Sequence, residues 1–171
     1  MTSQNRIELL DADVLIAAHR NYYAPDLCPG FWDCLSQFLF SGRLLIIDRV
    51  FAEIEYPQDL VSWVRRVTAG SPVNTSATDV VQAFTEIMNW VQRNPQFTPV
   101  AKNAFATKAD GWLVAYVVVN GNFIITNERF QPNVRKDVKL PNVCREFGVD
   151  YQDTYALLRD LGASFSWEPP A

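Results

Sequence analysis

Short apolar runs that each end abruptly on an acid or a hydroxyl constrain this chain more than any other feature. Ile7, Glu8, Leu9 and Leu10 run into Asp11, and Leu44, Leu45, Ile46 and Ile47 run into Asp48. Phe123, Ile124 and Ile125 run into Thr126, and a weaker run, Val138, Lys139 and Leu140, stops at Pro141. Runs this short and this apolar predict buried strands.

Stretches of helical period separate them. Pro29 and Gly30 open one with Phe31, Leu35, Phe38 and Leu39 on one face and Gly42 after it. Asp48 is expected to N-cap a helix carrying Val50, Phe51 and Ile54. Further helices are expected over 57–67, 79–91, 108–119, 142–147 and 155–161, with 70–78 the clearest loop. Strands alternating with helices predict an α/β fold whose parallel sheet is covered on both faces. In such sheets the ligand site lies beyond the carboxyl ends of the strands, near the switch in strand order.

At 171 residues the chain fits one domain over 1–171, and its 49% apolar and 20% charged residues place it with globular rather than disordered sequences. The net charge of −4 gives it no overall pull on nucleic acid. Cys28, Cys34 and Cys144 form no CxxC pair and His19 is the lone histidine, which argues against structural zinc and against a disulfide scaffold. The opening residues carry an acid straight after a short apolar run, so neither a signal peptide nor a membrane span is expected, and a cytoplasmic location is.

Acids stand where a core would take carbon. Asp11 ends the first strand, at the expected crevice; Asp13 reads either as a helix N-cap or as a second site acid. Glu53 shares a helical face with Val50 and Ile54, where a carboxylate needs a partner or a metal, whereas Glu55 points about 200° away. Asp110 precedes Leu113, Val114 and Val117 at i+3, i+4 and i+7, and the stretch from Thr107 to Asp110 also reads as a capping box. Glu128 follows the third strand by a short step. Acids brought to one crevice raise each other's pKa, and hard oxygen ligands suit Mg²⁺ or Mn²⁺.

Four segments together resemble the PIN-domain family. They are Leu9-Leu10-Asp11-Ala12-Asp13-Val14-Leu15-Ile16, Val50-Phe51-Ala52-Glu53-Ile54, Ala109-Asp110-Gly111-Trp112-Leu113-Val114-Ala115 and Ile124-Ile125-Thr126-Asn127-Glu128. Tyr22-Tyr23, Phe31-Trp32, the helix with Trp63, and Leu140-Pro141-Asn142-Val143-Cys144 look like features of an uncharacterised PIN-like branch of bacteria and archaea. The resemblance implies a three-layer α/β/α domain and a Mg²⁺- or Mn²⁺-dependent ribonuclease. It assigns the four-carboxylate metal and catalytic set to Asp11, Glu53, Asp110 and Glu128, with Asp13 and Thr126 in support. It also implies a role like that of VapC-type toxins, which are neutralised by an antitoxin and often form homodimers. Asp13 stands where the family more often has Asn or Ser, and Glu128 where many members have Asp.

Arg129, Arg135, Lys136 and Lys139, with Arg65 and Arg66, are the candidates for holding RNA phosphates. Phe31, Trp32, Trp63 and Trp112 have helical spacing and are expected in the core or an interface. Two other readings are weighed. Asp11-Ala12-Asp13-Val14 resembles the nucleophile motif of haloacid-dehalogenase-like phosphatases, but the late acids Asp150 and Asp153 follow a polar stretch and not an evident strand. A PIN-like module that binds RNA or protein without cutting is the other.

Overall fold

The computed structural model describes residues 6–170. Residues 1–5 and 171, which include the ends of the expected 1–171 domain and the first part of the segment read as lacking a signal peptide, lie outside the described residues. The fold is α/β, with a central parallel sheet flanked by helices in three layers. Strands β1 (Glu8–Leu10), β2 (Leu44–Leu45), β3 (Phe123–Ile125) and β4 (Tyr151–Gln152) lie in the order β2-β1-β3-β4, every pair parallel.

That order positions the site. The chain leaves β1 to one side for β2, then crosses back past β1 to build β3 and β4. Right-handed crossovers running in opposite directions put their helices on opposite faces of the sheet. β1 is therefore covered on both faces, and all three of its residues are buried. The change of direction falls between β1 and β3, where Leu10 pairs with Ile125. Asp11 and Thr126, the next residue on each strand, leave the sheet side by side.

The helices are α1 (Ala12–Ala17), α2 (Pro29–Phe40), α3 (Asp48–Glu53), α4 (Gln58–Val67), α5 (Thr78–Arg93), α6 (Pro99–Ala106), α7 (Asp110–Asn120), α8 (Leu140–Glu146) and α9 (Thr154–Asp160). A π-helical turn, Ala18–Tyr22, continues α1. The longest, α5, lies along α7, where the rings of Phe84 and Trp112 stack at 3.8 Å. Gly111 permits that approach, since a Cβ there would sit 3.0 Å from the Phe84 ring. Phe31, Trp32 and Trp63 are buried, as their spacing required, while Trp112 is half-buried between Phe84 and the Arg49 guanidinium.

Several local expectations give way. The strand expected over 44–47 pairs only through Leu45; Ile46 and Ile47 peel off, and Ile47 bridges to Val73 instead. Val138 and Leu140 are buried but form no strand, because Pro141 does not stop a strand; it sits in the first turn of α8, where its missing N–H is no loss. The fourth strand is Tyr151–Gln152, in a stretch too polar to stand out. Asp48 is the first residue of α3 rather than its cap, and its carboxylate accepts from the N–H and hydroxyl of Thr75. Helix α6, absent from the expected elements, starts on Thr98 as N-cap and Pro99 in its first turn; the π-helical turn carries no such signal.

Ile87 lies on α5 and is fully buried in the core. Ile87→Ala should cost about 2–5 kcal/mol through lost burial and the cavity left behind. Urea unfolding should show a lower midpoint with an unchanged slope.

Candidate functional site

Asp11 occupies the N-cap position of α1 with extended backbone angles, yet its side chain caps nothing. The carboxylate instead turns to β3, where the Thr126 hydroxyl donates to Asp11 Oδ2 at 2.9 Å. The Glu128 backbone N–H donates to that hydroxyl at 3.2 Å, so Thr126 links the Asp11 carboxylate to the backbone of Glu128. Asp13 is the second residue of α1, not its cap. The backbone N–H of Asn127 donates to its carboxylate, and Asp11 and Asp13 are close enough to share a proton. Asp13 Oδ1 is buried with no hydrogen-bond partner. A buried, unsatisfied carboxylate oxygen is costly, and here it sits within a group of acids.

Asp110 opens α7 and is buried. The capping box expected around it does not form, because Thr107 ends α6 and donates back to the Ala104 carbonyl. Glu53 supplies the missing cap from another helix, its Oε1 accepting the Ala109 N–H at 2.6 Å. Glu53 is therefore not core-facing, as its helical stripe implied. α3 ends at Glu53, Ile54 leaves the helix at φ −90° and ψ 85°, and the periodicity no longer applies; Glu53 is exposed. Glu128 takes a matching role at α8, accepting the Leu140 N–H at 2.9 Å, with the Lys139 ammonium 3.9 Å away.

The electrostatics describe one cluster. Burial lifts Asp11 well above the usual carboxylate range, and Asp13 and Asp110 push it further. Burial also raises Asp13. Asp110 is pushed up to about 7, first by burial, then by Glu128, with Glu53 and Asp13 adding and Lys108 opposing. Cys144, buried behind the cluster, has its thiol raised by burial and by Asp11 and Asp110, so it is an inert packing residue. All five acids thus feel one another through Asp110 or Asp11. Among the described residues, however, no three His, Cys, Asp or Glu side chains are grouped so that they could hold a metal ion as they stand. The donor chemistry fits a hard divalent cation, with Asp11, Asp13 and Asp110 the least committed carboxylates; Glu53 and Glu128 are engaged with helix N-termini.

Arg129, Arg135 and Lys136 are exposed in the loop between β3 and α8. Arg65 and Arg66 are exposed on α4. Lys139 pairs with Asp137 at 2.7 Å, and Lys108 approaches the same carboxylate at 3.7 Å. Lys108 is a neighbour of Asp110 absent from the expected set, although its place two residues before an acid on a helix start was visible. Asn127 was also missed; besides serving Asp13, its side-chain oxygen accepts from the Thr154 N–H and hydroxyl, tying β3 to α9. Asp150 and Asp153 do flank a strand, β4, contrary to the expectation, but Asp153 is exposed and accepts from the Ala156 N–H as the cap of α9.

Two outcomes test this geometry. Glu53→Ala should destabilise the protein by about 0.5–2 kcal/mol through the uncapped α7, and Glu53→Gln by less. An increase in stability on Glu53→Ala would instead mean that relieved repulsion outweighs the cap. For Asp110, the folded-state value of about 7 lies above the ordinary 3.8, so the native state holds the proton longer. Its contribution is fully present below 3.8 and is lost as pH rises through about 7. In chelator, the stability of wild type relative to Asp110→Asn should therefore fall between pH 4 and pH 8. A difference flat across that range in urea unfolding would mean that Asp110 does not titrate there.

No curated protein matches the chain. A family model described as a domain of unknown function, DUF4411, matches residues 9–165, from within β1 through α9 and beyond. That span takes in all the acids of the cluster, and the chain belongs to the DUF4411 family.

Proposed function

We propose that the protein is a metal-dependent ribonuclease of the PIN-like kind, acting as the toxin of a toxin–antitoxin pair in the cytoplasm. The observation that carries this reading is the sunken group of Asp11, Asp13 and Asp110 at the switch point between β1 and β3, held with raised pKa values and one unsatisfied oxygen. A fold gains nothing from gathering like charges in a buried crevice, since each destabilises its neighbours. A divalent cation turns that repulsion into attraction.

Asp11, Asp13 and Asp110 are the residues that would hold Mg²⁺ or Mn²⁺, with Glu128 and Glu53 at the edge of the cluster. Bound there, such an ion would lower the pKa of a water and offset charge on a phosphodiester. The chain's own groups do the rest. Thr126 fixes the Asp11 carboxylate by its hydrogen bond, and Asn127 fixes Asp13. Lys108 and Lys139, already within the cluster's field, draw a phosphate's negative charge towards it. Arg129, Arg135 and Lys136, exposed in the loop that follows Glu128, are the cations available to hold backbone phosphates. An antitoxin and a second copy of the chain are partners that the toxin role implies. No helix among the described residues is long and apolar enough to cross a membrane.

The first test does not depend on which RNA is the substrate. Mn²⁺ at ~100 times its Kd should stabilise wild type by about 2.7 kcal/mol and leave the melting point of Asp110→Asn nearly unmoved. Asp110→Asn should also abolish cleavage of RNA, and its overproduction should no longer arrest growth, while its far-ultraviolet circular dichroism matches wild type. Equal stabilisation of both proteins by Mn²⁺ would make Asp110 a helix-start residue and nothing more.

A further inference from the structure

Beside the carboxylate cluster, and sharing Thr126 and Glu128 with it, lies a recess of about 520 Å³. It opens beyond the carboxyl ends of β3 and β4, between the π-helical turn and the start of α9. Its size falls within the ~300–1,000 Å³ of small-ligand sites, and its lining is rich in aromatic rings. Two of these are already covered. Tyr23 stacks on Phe31 at 4.3 Å and 2°, and Phe130 lies under the Arg145 guanidinium at 3.9 Å.

Tyr22 and Tyr155 are different. They expose 65% and 52% of their surface at this recess, far more than their packing neighbours. The Tyr22 side chain has no hydrogen bond or ring contact among the described residues, and that of Tyr155 is linked only through its hydroxyl, to Tyr23. The exposed part of each ring is left for something outside the chain. Arg129 lines the same recess, directly follows Glu128, and its side chain has no ion pair or hydrogen bond among the described residues.

A second argument comes from charge. The net charge is −4, and the cluster is itself acidic, so phosphate contacts alone give a strand little reason to settle here. Stacking of bases on aromatic rings supplies affinity that does not depend on the protein's overall field. We propose that this recess receives an unpaired base of the RNA strand whose phosphate lies at the Asp11–Asp110 cluster, with Tyr22 and Tyr155 as stacking faces and Arg129 on a flanking phosphate. The proposal rests on the nuclease reading above and narrows it: the substrate is single-stranded or looped RNA, because a base held in a duplex must first unpair and unstack to turn out into a side recess.

The experiment compares initial cleavage rates on one unpaired RNA oligonucleotide and on the same sequence in a duplex. Tyr22→Ala and Tyr155→Ala should each raise KM on the unpaired strand about tenfold, within the ~5- to ~150-fold range of a lost stacking contact, with kcat little changed. Tyr155→Phe keeps the ring and should behave as wild type, whereas a structural role for the hydroxyl link to Tyr23 would make it behave as Tyr155→Ala and overturn the stacking assignment. Duplex should be cut far more slowly than the single strand. Wild-type cleavage with unchanged KM in both alanine variants, or equal rates on duplex and single strand, would overturn the recess while leaving the nuclease standing. Absence of any cleavage by wild type would remove both.

Discussion

The parallel pairing of β1 with β3 is the constraint from which the rest of this structure follows. Parallel neighbours cannot be joined by a hairpin, so the chain must wrap helices over both faces of the sheet before β3 can lie beside β1. That wrapping buries β1 entirely and leaves its carboxyl end as a place where a polar group can emerge next to the core. The register then decides what emerges. With Leu10 opposite Ile125, Asp11 and Thr126 are neighbours, and a hydroxyl is positioned on a carboxylate by the sheet itself.

The same crevice collects negative charge from elements far apart in sequence, and the fold tolerates it by unequal means. Glu53 and Glu128 are placed at the N-terminal ends of α7 and α8, where unpaired backbone N–H groups and the helix macrodipole favour an anion. Lys108 and Lys139 oppose part of the remaining repulsion. Asp11, Asp13 and Asp110 receive less, and respond by holding their protons more tightly. The cluster is thus two shells of acids with different duties. The outer glutamates tie helices to the site, and the inner aspartates carry its uncompensated charge.

Much of this was legible in the chain, and the failures have physical causes. Strands β1 and β3 were readable because a strand buried on both faces is mostly apolar, with Glu8 the exception and paired with Arg6, and an acid or hydroxyl marks its end. Asp11 was legible for the same reason. Strand β4 was not, since an edge strand with only half-buried residues has no such demand on its composition. Glu53 was found by an argument that fails: its periodicity assumed a helix that continues, whereas α3 stops at that residue. The capping box at Thr107 was misread because a local pattern was satisfied better by a distant carboxylate. Tyr22 and Tyr155 stand 133 positions apart, and only the fold brings them to one recess.

The pairing of caps with charge has a consequence for how the site and the fold depend on each other. α7 and α8 pack against one another, and each begins under a glutamate of the cluster. Under the proposed metal-bound reading, a cation drawn to the aspartates would also attract those glutamates, so binding would tighten the same groups that start the two helices. Neutralising an aspartate lowers the repulsion felt by the glutamates without touching their caps, whereas removing a glutamate relieves the aspartates but also uncaps a helix. Where the cap outweighs the relieved repulsion, the two kinds of acid act on stability with opposite sign in the absence of metal, although their charge is the same. What separates them is geometry: a carboxylate facing backbone N–H groups stabilises the fold, and a carboxylate facing other carboxylates has only an external partner to settle it.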